Sequence, residues 1–565
     1  MKTHLLCAAV ALACTGPAAA FTFESGGISG NFDSWLTLGT GIRTSKPACD
    51  TIIGFIGGEA APPSGAGAPA GCIDAGGGTN DQGNLNYRRG RPFTTYLNGL
   101  HELLLKMPEG WKFFGRVNWR ADASATHTTG YLSALQGGVG ESQPGGADKQ
   151  LRFKARLLDF WVSKDFALGG ERARVRLGNQ VVSWGESLFL PGGIDQTNAM
   201  DLMRLSQPGV QLKEVALPAP ILSFATGLGH GLNIEAYVQG HWNSHYFPPI
   251  GSYFSVATVG TGAAAFGAAV GSNIPTRGEP SDRGQYGMAL RYQPAGTEIN
   301  RGLFAMRYHD KAPVLGFSDP LSEGDPGVHW SYLEGRKLLG ISANFPVGNW
   351  AVGAELSYRP KDPITLQVMP NEVDGGLCVN GGHCYVEEKK YQFHLTGILS
   401  MTPSDYGGIL NLLGADTATL LAEAVVIHYP NLKRTYQGVP VAAGLWGWGL
   451  LDPSDPAFGT PRSVGDRTSW GYAFDFSWTY DGKIIPGWQV TPEIFYMQAV
   501  HGRTPNIVGL FMQGAKSANF AVTFVQNASD WKVGVNLAKF WGGSSVLDQP
   551  LRSRDFFGLY VTRGF

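Results

Sequence analysis

The sequence predicts an all-β fold: a transmembrane antiparallel β-barrel of about 16–18 strands with long extracellular loops. Three observations predict it. Apolar and polar residues alternate with period two along many segments, aromatic rings stand at both ends of the apolar faces, and long connections interleave with short ones. Composition narrows the alternatives. The 565 residues hold 16% charged side chains at a formal net charge of −1, which leaves no basic field for nucleic acid and no acidic tail. Glycine, at 79 residues, is about twice its ordinary share. It follows no three-residue period, which excludes collagen. Low charge beside 15 Trp, 20 Tyr and 30 Phe excludes intrinsic disorder.

Residues 1–20 have the form of a cleaved signal peptide. Lys2 supplies the positive start, residues 5–14 an apolar core, and Ala18-Ala19-Ala20 a small-residue cleavage site before Phe21. The competing reading is a buried N-terminal helix. No later run of 18 apolar residues occurs; the stretch 256–271 comes nearest and is broken by glycine. The mature chain, residues 21–565, keeps Cys49, Cys72, Cys378 and Cys384. An even count in an oxidising compartment predicts two disulfides, Cys49–Cys72 and Cys378–Cys384. The alternative at the second pair is a metal site using His383, but only three ligands are at hand where structural zinc takes four.

The alternation is plainest at 469–481. Trp470, Tyr472, Phe474, Phe476, Trp478 and Tyr480 share one face, and Ser469, Gly471, Ala473, Asp475 and Ser477 the other. In 350–359, Trp350, Val352, Ala354, Leu356 and Tyr358 oppose Glu355, Ser357 and Arg359. In 112–122, Phe113, Val117 and Trp119 oppose Arg116 and Arg120. Phe304, Met306 and Tyr308 are expected to face away from Arg301, Arg307 and His309. A soluble sandwich would also alternate. The aromatic ends, such as Trp470 with Tyr480, instead fit the two girdles of a membrane barrel. The polar faces then line the lumen, with Arg116, Arg120, Arg301, Arg307, Glu355, Arg359, Asp475 and Glu493 as its charges.

Connection lengths extend the argument. If Ile28–Arg43 is the first strand and ends outside, long loops fall near 44–93, 123–150, 185–218, 243–284, 311–335, 364–388, 433–467, 503–516 and 542–552. Short turns fall near 108–110, 168–171, 229–231, 294–300, 346–349, 481–487 and 527–530, with a longer one near 402–417. That pattern gives 18 strands, or 16 if the weak segments 212–226 and 402–430 are misread. Both expected disulfides lie in long loops.

The last strand ends Phe557, Leu559, Val561 and Phe565 on one face. It resembles the terminal strand of bacterial outer-membrane proteins, which their assembly machinery recognises; Arg563 departs from that pattern. Further motifs carry a family resemblance: Gly83-Asn-Leu-Asn-Tyr87, Gly99-Leu-His-Glu-Leu103, and Leu177-Gly-Asn-Gln-Val-Val-Ser-Trp-Gly-Glu-Ser187. They continue in Pro208-Gly-Val-Gln-Leu-Lys-Glu214, Leu217-Pro218, and Asn233-Ile-Glu-Ala-Tyr237 with Trp242. Together they resemble the bacterial domain-of-unknown-function family 1302 over essentially the whole mature chain. The resemblance implies the outer membrane of a Gram-negative bacterium and, by association with neighbouring genes, a permease partner in the periplasm or inner membrane. It also implies handling of small hydrophobic compounds.

The segment 185–218 is expected to fold inward as a constriction or to project outside. It follows a strand whose lumen face holds Arg174, Arg176 and Gln180, and the candidate residues continue with Trp184, Glu186, Asp201, Arg204, Lys213 and Glu214. Charges in a narrow, weakly screened space select among solutes; the bland alternative is that they pair with one another. Basic residues recurring at Arg116, Arg120, Arg174 and Arg176 would favour anions, unless lumen carboxylates neutralise them. No Gly-x-Ser-x-Gly elbow and no cofactor motif occurs, and His241, Ser244 and His245 sit where strand gives way to loop. The expected partners are outer-membrane lipids and small solutes, with no nucleic acid. Two function classes stand: a channel or transporter for small hydrophobic or amphipathic molecules, or a surface-binding, adhesion barrel using loops such as 433–467, with Tyr436, Trp446 and Trp448.

Overall fold

The computed structural model describes residues 21–47, 83, 86–124, 147–205, 207–249, 252–255, 278–317, 328–367, 369–379, 381–444, 463–526, 530–544, 548–549 and 551–565. A short edge piece, β1 (Phe21–Ser25), precedes β2 (Ile28–Arg43), β3 (Pro92–Lys106), β4 (Trp111–Asp122), β5 (Phe153–Leu168) and β6 (Glu171–Gln180). A small hairpin, β7 (Ala199–Met200) with β8 (Ala216–Leu217), comes before β9 (Ala219–Gly229), β10 (Leu232–Gln239), β11 (Gln285–Tyr292) and β12 (Asn300–Tyr308). A second, β13 (Val314–Phe317) with β14 (Val328–Ser331), leads to β15 (Arg336–Val347), β16 (Trp350–Thr365), β17 (Tyr385–Met401) and β18 (Thr417–His428). The third, β19 (Thr435–Tyr436) with β20 (Val439–Pro440), leads to β21 (Thr468–Asp481) and β22 (Gln489–His501). The chain ends with β23 (Ala515–Val525), β24 (Trp531–Gly542) and β25 (Phe556–Gly564).

Apart from β1 and the three hairpins, 18 strands pair antiparallel in sequence order, and β25 returns to β2 in the register Trp35↔Gly564 to Arg43↔Phe556. The sheet is a closed barrel, the arrangement that leaves no strand edge open. The remaining length of β2 is covered by β1, in the register Phe21↔Phe32 to Ser25↔Ile28. Tight turns fit their residues: Gly169 and Gly170, with φ of 61° and 88°, supply the two left-handed positions that a two-residue hairpin between β5 and β6 requires. The longer turn near 402–417 holds a helix, Pro403–Leu413, closed by Gly414 at φ 67°.

The outward faces carry exposed apolar residues, as at Leu339, Ile341, Phe393, Leu395, Phe520, Leu537 and Phe557. The opposite face of β16, β17 and β18 buries Glu355, Arg359, Gln392, His394 and Glu423. This is a polar interior inside an apolar wall. On β12 the faces are the reverse of the expectation. Leu303 and Ala305 are exposed, Arg301 and Arg307 share their face, and Phe304, Met306 and Tyr308 are buried inside. The reason is local: Trp184 and Ile194 pack against Phe304 from within, so this part of the interior has apolar surface to bury. Arg301 and Arg307 are therefore not lumen charges.

Cys378 and Cys384 form a disulfide, with Cα atoms 4.9 Å apart, in the connection between β16 and β17. That takes up both thiols of the alternative metal site. The expected Cys49–Cys72 bridge and the signal peptide lie outside the described residues.

Candidate functional site

Between β6 and β9 the chain runs through residues 181–218, hydrogen-bonding to interior side chains on both sides of the barrel. Its entry is pinned where Val182 N–H donates to Asn198 Oδ1 (2.9 Å) and Asn198 Nδ2 returns a bond to Val182 O (2.7 Å). The Trp184 indole donates to Glu235 Oε2 at 2.7 Å. Two carboxylates on the far wall then hold the backbone. Glu423 Oε2 accepts the N–H groups of Leu188, Phe189 and Leu190 at 3.3, 2.6 and 2.9 Å. Glu355 accepts those of Glu186 and Ile194, the latter at 3.0 Å. An ionised carboxylate accepting several amides is a strong, direction-setting contact.

The anchor has its own support. His394 Nδ1 donates to Glu423 Oε1 at 2.7 Å, and Gln392 Nε2 donates to His394 Nε2 at 2.8 Å, so the imidazole carries its proton on Nδ1. Gln392 Nε2 also donates to Pro191 O at 3.1 Å, and Arg359 Nη2 to Gly192 O. The backbone comes so close here that a Cβ on Gly193 would overlap Glu355 Oε1, which requires glycine. Glu186 turns its carboxylate to Ser342 Oγ (3.0 Å) and Asn344 Nδ2 (3.2 Å) on β15. Burial pushes the Asp195 carboxyl up, against the pull of Arg359.

The second half of the segment is tied to β3, β4 and β5. Glu214 Oε1 accepts from Arg204 Nη1, Asn98 Nδ2 and Asn118 Nδ2 at 3.0, 3.1 and 3.2 Å. Asp201 Oδ1 caps Arg204 N at 3.0 Å, and Asp201 Oδ2 pairs with Arg156. Lys213 reaches Glu102 at 2.6 Å. The sequence-predicted residues Asp201, Arg204, Lys213 and Glu214 thus come together, and Glu355 and Arg359 meet the segment from the opposite side.

Cations outnumber acids along this wall. The interior faces of β4, β5 and β6 carry Lys112, Arg116, Arg120, Lys154, Arg156, Arg172, Arg174 and Arg176 against Asp122, Asp159 and Asp165. Asp165 is shared by Lys112 and Arg172, both at 2.8 Å, and Arg174 at 3.1 Å. Arg116 bridges Glu102 and Asp159. Several cations lie on rings: Lys154 is 3.2 Å from the Tyr246 centroid, Arg120 3.5 Å from Tyr96, Arg176 4.0 Å from Trp161 and Lys213 4.0 Å from Trp35. Gln180, at the end of β6, bonds Ile221 O at 2.8 Å. Asp475 and Glu493 are neighbours on β21 and β22, where Phe495 meets Phe189 at 5.5 Å.

Above the 191–196 turn lies a cavity of about 90 Å³, lined in part by Gln196, His245, Asp310, Arg359, Asp362 and Lys390. Burial raises Asp310 to about 7, opposed by Arg336, and lowers Lys311 to about 7. His245 is pushed down to about 3 by burial, and its Nδ1 accepts from Met200 N at 3.0 Å. Ser244 bonds Tyr332, and His241 lies 2.8 Å from Asp282, so the three residues form no catalytic triad.

Sequence reasoning missed Glu423, His394, Gln392, Asn98 and Asn118. Alternation around Phe393 and Leu395 places Gln392 and His394 inside, which was an available signal for their position. Their partners are backbone amides of a distant loop, for which the sequence holds no signal.

Among solved structures the chain is similar to OccAB1 of Acinetobacter baumannii, at 10% identity, 97% coverage of this chain and 98% of that one, with a TM-score of 0.41. The outer membrane protein opdK from Pseudomonas aeruginosa matches at 10% identity, 95% and 98% coverage, and a TM-score of 0.40. The outer membrane channel DcaP of Acinetobacter baumannii matches at 10% identity, 96% and 99% coverage, and 0.35. No curated protein matches the sequence. The family model described as "Protein of unknown function (DUF1302)" matches residues 1–565, and the chain belongs to that family.

Proposed function

We propose that the protein is an outer-membrane channel or transporter for small amphipathic molecules, with 185–218 as its constriction and carboxylated solutes as its preferred cargo. The observation that carries the reading is the segment 181–218 itself, tied by Glu355 and Glu423 to one side of a polar interior and by Glu214 and Asp201 to the other. A solute crossing the barrel has to pass this segment. On its way it meets Lys154 and Arg176 of the β5–β6 wall, which lie over Tyr246 and Trp161, and Lys213 of the segment itself, which lies over Trp35 on β2. A cation beside an aromatic face suits a molecule that joins a carboxylate to an apolar body. Arg174, Arg176, Gln180, Trp184, Glu186, Asp201, Arg204, Lys213 and Glu214 are the residues assigned to this passage.

The test is a planar-bilayer recording of the refolded chain lacking residues 1–20. Anion preference in a salt gradient, and block by benzoate stronger than by benzyl alcohol, are expected. Lys154→Gln with Arg176→Gln should weaken both. A folded barrel that is silent, or that prefers cations, overturns the channel reading and returns the protein to the surface-binding class.

A further inference from the structure

We infer that the outward face of β12, β15, β16 and β17, at the end where the long connections 309–335 and 366–384 emerge, is a binding site for the phosphorylated headgroup of an anionic membrane lipid. Four cations stand in one row there. Arg307 on β12 is the direct register partner of Lys337 on β15. Lys337 lies two residues beyond Leu339, which pairs with Tyr358, and Lys389 lies two residues beyond Tyr391, which also pairs with Tyr358. Lys361 fills the bulge between Arg359 and Asp362, facing Lys389. At the strand spacing of a sheet, the row from β12 to β17 spans about 14 Å.

The row faces lipid, not the lumen. Lys337 continues the face of Leu339 and Ile341, and Lys389 that of Tyr391, Phe393 and Leu395, all exposed. Tyr358 and Tyr391, stacked with centroids 4.9 Å apart, lie just below it, at the level where rings mark the membrane interface. A charge on the outer face of a barrel is tolerated at that level and costly deeper. Among the described residues the row is also under-neutralised. Lys361 lies 3.4 Å from Glu387, which also serves Arg336, and Arg307 donates to the carbonyl of Gly284 at 3.0 Å. Among the described residues, Lys337 and Lys389 form no ion pair. Glu334, next to Gly335 and Arg307, accepts from Ser281 N. An anion at this height, directly above an apolar wall, is one carried by a lipid.

The inference rests on the outer-membrane placement proposed above but not on conduction, since none of the four residues lies in the lumen. The test uses the full mature chain in detergent, with native mass spectrometry read against a bis-phosphorylated glycolipid, its dephosphorylated form, and inorganic phosphate. The phosphorylated lipid should bind, the dephosphorylated form far less, and inorganic phosphate alone should not compete at equal concentration. Lys337→Ala with Lys389→Ala should weaken lipid binding about thirtyfold. Lys337→Arg with Lys389→Arg should keep it, and Arg301→Ala, at the other end of β12, should leave it unchanged. Conductance should not move in any of these variants. Equal binding of both lipid forms overturns the inference on the wild-type chain alone. Unweakened binding by the alanine pair, or displacement by equimolar phosphate, does so as well.

Discussion

Glu423→Ala should release the first half of the interior segment while leaving the wall standing. Glu423 Oε2 holds three backbone amides, of which those of Phe189 and Leu190, at 2.6 and 2.9 Å, carry most of the energy. A hydrogen bond to a charged partner contributes about 1.5–3 kcal/mol. Losing these two makes detachment of 186–194 easier by about 3–6 kcal/mol, a rise of about 10²–10⁴ in the detached fraction. The ladder of β17 and β18 runs unbroken from Tyr391↔His428 to Met401↔Ala418 and does not depend on this carboxylate. Amide hydrogen exchange at 188–190 should therefore accelerate by that factor while 391–399 stays protected. Glu423→Gln should fall between, because one oxygen still accepts. Single-channel records should show larger, noisier conductance. Exchange at 188–190 within about threefold of wild type would refute the assignment of the anchor to this carboxylate.

Tryptophan placed at 303 should be quenched by brominated lipid and at 304 should not, since Leu303 is exposed and Phe304 buried; the opposite result restores Arg301 and Arg307 to the lumen. The mouth around residues 309–317 should be least stable near pH 7. Asp310, raised from 3.8 to about 7, holds its proton only in the folded mouth between those values, so its stabilisation is complete below pH 4 and is lost as pH climbs to 7. Lys311, lowered from 10.5 to about 7, acts in the opposite sense: its contribution is present above 10.5 and lost as pH falls to 7. Asp310→Asn should flatten the acid limb of exchange at 309–317 and Lys311→Met the alkaline limb, whereas a profile without a minimum counts against both.

What the sequence made legible was the wall. Period-two alternation at β16 and β21 identifies the face toward lipid, because there the interior side is polar and the outer side is not. At β12 the same rule inverted the strand, since Trp184 and Ile194 bring apolar surface inside and Phe304, Met306 and Tyr308 answer it. Alternation reports a difference between two faces, not which one is wet. β1 was too short to show a period, and the helix at Pro403–Leu413 hid in what read as a long turn. In the segment, Asp201, Arg204 and Glu214 were visible as charges among apolar residues, and they do pair.

The same geometry explains how a chain of net charge −1 can present a basic wall. Its acids are used in two ways that composition does not distinguish. Glu355 and Glu423 are spent on backbone amides, and neither forms a salt bridge with a lysine or arginine among the described residues. Asp165, by contrast, is divided among three cations, and Glu102 between Arg116 and Lys213. Both uses leave cations in excess on β4–β6. The structure and the polarity of the interior are thus one arrangement: Glu355 and Glu423, which fix the first half of the segment, are withheld from the arginines, whereas Asp201 and Glu214, which fix the second half, pair with Arg156 and Arg204.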